Sequence, residues 1–135
     1  MAKLNKITEE EKQLLFTDLC GRLPYSVLVQ TKKFDFPVEL RHLSLDSIPD
    51  IRPYLRRLKS MTVDEYDAMR YVYTFYGDSY IHTSEMYTCG KVADWLNKHH
   101  FDYRDLIDKG LAIEVKPGDE VDKLYKLDYE KDLSC

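Results

Sequence analysis

The sequence predicts an α+β domain, and three observations carry that prediction. Apolar residues recur at helical spacing behind capping signals near Thr8, Thr62 and Thr83 or Ser84. Two β-branched, alternating runs lie between the first two of these, at residues 25–31 and 38–46. A strand, turn and return strand are expected at the C-terminal end, where "LAIEV", "KPGDE" and "KLYKLDY" follow one another. At 135 residues the chain has the length of one ordinary domain. Its expected subregions are 1–59, a helix with a small antiparallel sheet, and 60–135, helices closed by a β-hairpin.

The first helix is announced by Thr8 and Glu11, which have the spacing of a capping box. Leu14, Leu15, Asp18, Leu19 and Arg22 follow at helical spacing, and Gly21 and Pro24 mark the exit. "YSVLVQT" reads as a strand and "VELRHLSLD" as a second, antiparallel to it, with His42 on a solvated face. Two prolines then precede Tyr54, Leu55 and Leu58, and this spacing predicts a short helical turn from Pro53. Thr62 and Glu65 repeat the capping box, and Tyr66, Met69, Tyr73 and Tyr76 continue a helix to Gly77. The run "YVYTFY" within it also alternates and is rich in strand formers, so a strand is the competing reading. "GDSYIHTSE" reads as a loop. Met86, Cys89, Ala93 and Leu96 then form the apolar stripe of a further helix that ends at His99 and His100.

The stretch "NKHHFDYRDLIDKGLAIEV", residues 97–115, is the densest in chemistry-bearing side chains. Asp102 is suited to cap a short helix, Phe101 and Leu106 to staple it, and Gly110 to end it in a left-handed conformation. Helix, turn, helix, strand, turn and strand is a winged-helix-like element order. His99, His100, Tyr103 and Arg104 are not needed by these folding signals and are the candidate binding residues. The simpler reading of the two imidazoles is that they cap the last carbonyls of the preceding helix. A second candidate is the basic cluster Arg52, Arg56, Arg57 and Lys59, which suits a phosphate or an acidic partner; a solvated face is its simpler reading.

Composition narrows the function classes. Hydrophobic residues make up 44% and charged residues 33%, as in a folded globular chain. The net charge is -4, and the half that resembles a DNA reader is the acidic one. From Glu85 to Cys135 twelve Asp or Glu stand against eight Lys or Arg. Counterion release therefore works against a winged-helix DNA-associated regulator, the second functional reading. A Cys/His hydrolase or metal enzyme at Cys89, His99 and His100 is the third. Adjacent histidines on a helix end point about a quarter-turn apart, and no metal-ligand spacing, phosphate loop or dinucleotide fingerprint is present. No catalytic residue, metal or cofactor is assigned. Cys20, Cys89 and Cys135 form no paired motif and are expected as reduced thiols. With no secretory signal or apolar span in the sequence, a cytoplasmic location and no membrane partner are expected. Eleven tyrosines, five of them between Tyr71 and Tyr87, suit a contact surface as well as half-buried packing. The leading reading is a non-catalytic protein-interaction module with an unknown protein partner.

Three segments also carry a resemblance. "KQLLFTDLCGRLPYSVLVQ", "IRPYLRRLKSMT" and "DWLNKHHFDYRDLIDKGLAIE" resemble, in the same order, a family of small uncharacterised proteins from gut anaerobic bacteria and their phages or mobile elements. The resemblance implies a bacterial or mobile-element accessory protein with a cytoplasmic life. It implies no catalytic residue.

Overall fold

Helix α1, Glu9–Arg22, starts where its capping signal places it. The Thr8 Oγ1 accepts from the Glu11 amide at 3.1 Å, and the Glu11 carboxylate accepts from the Thr8 amide at 2.9 Å. Two otherwise orphaned donors are thereby satisfied. The computed structural model describes Leu4, residues 6–76 and residues 90–126, with the backbone alone over 72–76.

After α1 the chain forms β1, Leu28–Thr31, β2, Val38–Glu39, and β3, Ile51–Arg57. Helices α2, Val63–Tyr76, and α3, Gly90–Lys98, lead to β4, Phe101–Asp102, and β5, Ile113–Glu114. Residues 120–126 are helical. The chain is thus an α+β fold, and "YVYTFY" is helical within α2.

The sheet is mixed, not antiparallel throughout. Strand β1 runs antiparallel to β2 on one side and to β3 on the other, with Val29 opposite Pro53 and Thr31 opposite Ile51. The far edge of β3 is shared by two parallel partners. Tyr54 and Leu55 face Ile113 and Glu114, and Arg56 and Arg57 face Phe101 and Asp102. Parallel pairing requires a long crossover, which α2 and α3 provide between β3 and β4.

Four local expectations give way to this arrangement. The segment after Pro49 is the central strand β3, not a helical turn. Pro53 has no N–H to donate, and its presence and the apolar spacing suggested the turn, yet Ile51, Pro53 and Leu55 alternate into the core. The expected strand 38–46 shrinks to Val38–Glu39, followed by a 3₁₀ turn at Leu45–Asp50 that packs against α1. The expected C-terminal hairpin is replaced. Strand β5 pairs parallel with β3, and residues 123–126, the described part of the expected return strand 123–129, lie in a helix over 120–126. Val121 and Tyr125, one helical turn apart, are the buried pair that fixes this helix. The short helix expected after Asp102 is a series of turns, so the winged-helix layout does not form. Phe101 and Leu106 belong to separate apolar clusters and do not staple one another.

The layers follow from strand alternation. Val29 and Leu55 pack with Leu15 and Leu19 of α1 on one face of the sheet. Leu28 and Tyr54 point to the opposite face, where they meet Val121 and Tyr125. A third cluster joins Met69 of α2, Val92 and Leu96 of α3, and Phe101 of β4. Each fully buried leucine or phenylalanine contributes about 1.5–3 kcal/mol relative to exposure. Gly21 sets the spacing of α1 and α3, because a Cβ there would lie 2.9 Å from the Asn97 Nδ2.

Candidate functional site

The four candidate residues of the dense stretch lie where α3, β4 and α1 meet, and each is held differently. His99 packs against Trp95, with ring centroids 4.2 Å apart and the rings tilted by 35°. His100 adopts a left-handed conformation, φ 65°, which turns the chain from α3 into β4. Its carbonyl accepts from the Arg56 amide at 2.8 Å. Its ring is buried and stacks on Tyr125 at 3.7 Å between centroids, so it packs and does not cap α3. Burial, aided by the positive charges of Arg22, His99 and Arg56, lowers the His100 pKa to about 3, so the ring is neutral at pH 7.

Tyr103 donates its hydroxyl to the Asn97 Oδ1 at 2.9 Å. Arg104 lies against the Tyr103 ring, 4.8 Å from its centroid, and its Nε lies 3.4 Å from Asp18. At that distance the contact is an ion pair without hydrogen-bond alignment, and the Arg104 Nε is buried without a hydrogen-bond partner. The same Asp18 carboxylate accepts from Arg22 Nε at 2.7 Å and from Arg22 Nη2 at 3.1 Å. Arg22 Nη2 also donates to the Phe101 carbonyl at 2.7 Å. Two guanidinium groups therefore meet on one fully buried carboxylate, beside the backbone of β4.

Asp102 shapes the loop that carries Tyr103 and Arg104. Its carboxylate accepts from the Arg104, Leu106 and Ile107 amides at 3.2, 3.0 and 3.0 Å. The chain is thereby folded back so that β5 can pair with β3 beside β4. Asp105 and Gly110, both with positive φ, complete this reversal. Gly110 has the left-handed conformation expected of it, although it ends turns and not a helix.

The basic cluster does not converge. Arg52 is buried and donates to the Pro49 and Ile51 carbonyls, and burial lowers its pKa. Arg56 grips Glu65 of α2 with two bonds, at 2.7 and 2.8 Å, and lies over the Phe101 ring at 4.2 Å. Burial works to raise the Glu65 pKa, but bonds from Arg56 and Thr62 outweigh it and the net shift is downward. Arg57 pairs with Asp108 and Glu114, and these bonds raise its pKa. Lys59 is exposed. The cluster is thus divided among a buried strand residue, two ion-paired arginines and one surface lysine.

Asp18, Arg22 and Asn97 were not singled out as site residues by sequence reasoning. A signal existed, because Asp18 and Arg22 share the face of α1 that carries Leu15 and Leu19. An acid and a base on an apolar stripe, four residues apart, point to a buried pair. Cys20 is a free, exposed thiol, whereas Cys89 and the loop at 77–85 lie outside the described residues. Among the described residues no group of three or more His, Cys, Asp or Glu is placed to hold a metal ion. No helix among them is long and apolar enough to cross a membrane. No protein-family model matches the chain, and neither a curated protein nor a solved structure does.

Proposed function

We propose that this chain is a non-catalytic protein-interaction module that engages its partner through the connection between β1 and β2. The observation that carries this reading is a pair of exposed aromatic rings. Phe34 and Phe36 are 44% and 58% exposed, and their centroids lie 5.2 Å apart. The connection is anchored at its base by β1–β2 pairing and by the Lys32 amide, which donates to the Asp50 carbonyl. Clustered aromatic side chains held on a fixed base have the character of interface anchors, since they offer large contact area at little entropic cost. Lys32 and Lys33 precede the pair and Asp35 lies between its two members, so the matching surface is an apolar groove with a polar rim that is acidic on the lysine side. An accessory role in a bacterial or mobile-element setting belongs to the same reading.

A photo-crosslinking phenylalanine analogue at position 36 tests the proposal in a lysate of the native host. A discrete crosslinked protein is expected, and its association is lost in Phe34→Ser/Phe36→Ser at unchanged Tm. Retention of the partner by that double variant, or no crosslink from position 36, overturns it.

A further inference from the structure

Among the described residues, three buried side-chain nitrogens have no hydrogen-bond partner: Arg22 Nη1, Arg104 Nε and His100 Nδ1. They belong to one cluster. Arg22 and Arg104 meet on the Asp18 Oδ1, at 3.1 and 3.4 Å. Arg22 also bonds the carbonyl of Phe101, the residue after His100, and its charge reaches the His100 ring. Among the described residues Asp18 is the one carboxylate paired with these two guanidinium groups, so the described cluster holds more positive than negative charge. Arg56 adds nothing to the imbalance, because Glu65 neutralises it.

A buried donor without an acceptor costs about 1–3 kcal/mol, and more when it is charged. The Arg22 side chain is fully buried, with one terminal nitrogen unspent. Arg104 is the outer member, with its side chain 28% exposed. Its Nη2 reaches the Tyr103 hydroxyl at 3.4 Å and its Nε reaches Asp18 at 3.4 Å, so neither side-chain contact is a strong bond. Guanidinium groups bind oxyanions through paired, charge-assisted hydrogen bonds. We propose that Arg22 and Arg104 form a binding site for a small oxyanion, a carboxylate or a phosphate, with Tyr103 as its aromatic wall. The anion supplies the missing negative charge and the missing acceptors, and Arg104 is the side chain past which it enters. The site is separate from the Phe34–Phe36 contact and does not depend on it.

Thermal unfolding of the full chain at pH 7.5 tests this, titrated with inorganic phosphate or acetate at ionic strength matched with chloride. A saturable rise in Tm is expected, reaching about 8 °C at a hundredfold excess over Kd. The anion that saturates at lower concentration identifies the headgroup. Arg104→Gln weakens binding by about tenfold or more, the loss of one charged donor pair. Lys123→Gln, a change at an exposed lysine of the helix over 120–126, leaves it unaltered, as does Phe34→Ser/Phe36→Ser. Arg104 is used because Arg22 is fully buried and its variants are expected to lose stability, which would obscure the binding readout. The proposal is overturned if neither anion produces a saturable rise, or if Arg104→Gln responds as the wild type does.

Discussion

Asp18 and Arg22 lie one turn apart on α1, paired at 2.7 Å with neither side chain exposed. A buried ion pair stabilises little beyond an apolar pair of the same volume, but removing one partner is costly. Arg22→Ala is therefore expected to lower the stability by about 3–5 kcal/mol. Asp18→Leu/Arg22→Met is expected to be more stable than Arg22→Ala, since no fully buried charge is left alone and only the part-exposed Arg104 loses its partner. Urea unfolding of the three proteins checks this, and a loss below about 1 kcal/mol in Arg22→Ala would count against a buried, coupled pair.

Stability is expected to fall with acid through His100. Its folded-state pKa of about 3 lies below the ordinary value of 6.5, so unfolding takes up a proton between those values. The contribution is fully present above the unfolded value and is lost as pH falls toward 3, by about 1.4 kcal/mol per pH unit. Between pH 5 and 6 the carboxylates contribute little, and the slope reports mainly histidine. His100→Asn tolerates the left-handed backbone and does not titrate. Its slope in that interval is expected to be smaller by about one proton than that of the wild type. Equal slopes, measured by chemical unfolding at each pH, would show that His100 titrates normally.

The contact of Gly21 with Asn97 predicts a change of sign between backgrounds. In the wild type, Gly21→Ala forces a methyl group to within 2.9 Å of an amide that Tyr103 holds in place. Overpacking of this kind costs about 1–3 kcal/mol, more than the helix-propensity gain of about 1 kcal/mol. With Asn97→Ala already present, the clash is gone, and Gly21→Ala is expected to stabilise by about 1 kcal/mol. A double-mutant cycle measures the difference directly.

Asp102→Ala is expected to cost about 2–4 kcal/mol, because three amides lose a charged acceptor at a buried position. Asp102→Asn keeps one acceptor oxygen and is expected to fall between alanine and the wild type. Hydrogen exchange at Leu106 and Ile107 should rise in the same order. Unchanged protection at these two amides would show that the loop holds itself without the carboxylate.

Short-range chemistry was legible in the chain. Both capping boxes, Thr8 with Glu11 and Thr62 with Glu65, form as their spacing requires. Helix start signals act within four residues, so nothing distant is needed to read them. Gly110 takes its left-handed turn for the same reason. The α+β class also followed from periodicity alone. Of the candidate residues, His100, Tyr103 and Arg104 were visible as unexplained by any local role, and the structure places them around the Asp18–Arg22 pair.

Partners distant in sequence decided the rest. Strand β3 carries Pro53 and a basic run, and it becomes the central strand because β1, β4 and β5 supply its ladder. Residues 123–126 belong to a stretch that reads as a return strand. They are helical because the face of the sheet bearing Leu28 and Tyr54 is covered by Val121 and Tyr125, one helical turn apart. The Tyr125 hydroxyl then bonds the Tyr54 carbonyl at 2.7 Å. Arg56 and Arg57, adjacent in sequence, project to opposite faces of β3 and find Glu65 in one case and Asp108 with Glu114 in the other. The sequence by itself determined the caps, the helical periods and the class, all set within a few residues by backbone hydrogen bonding. Only the tertiary structure decided which strands pair, which charges are buried, and that two arginines share a single aspartate, since burial and pairing depend on residues far apart in the chain.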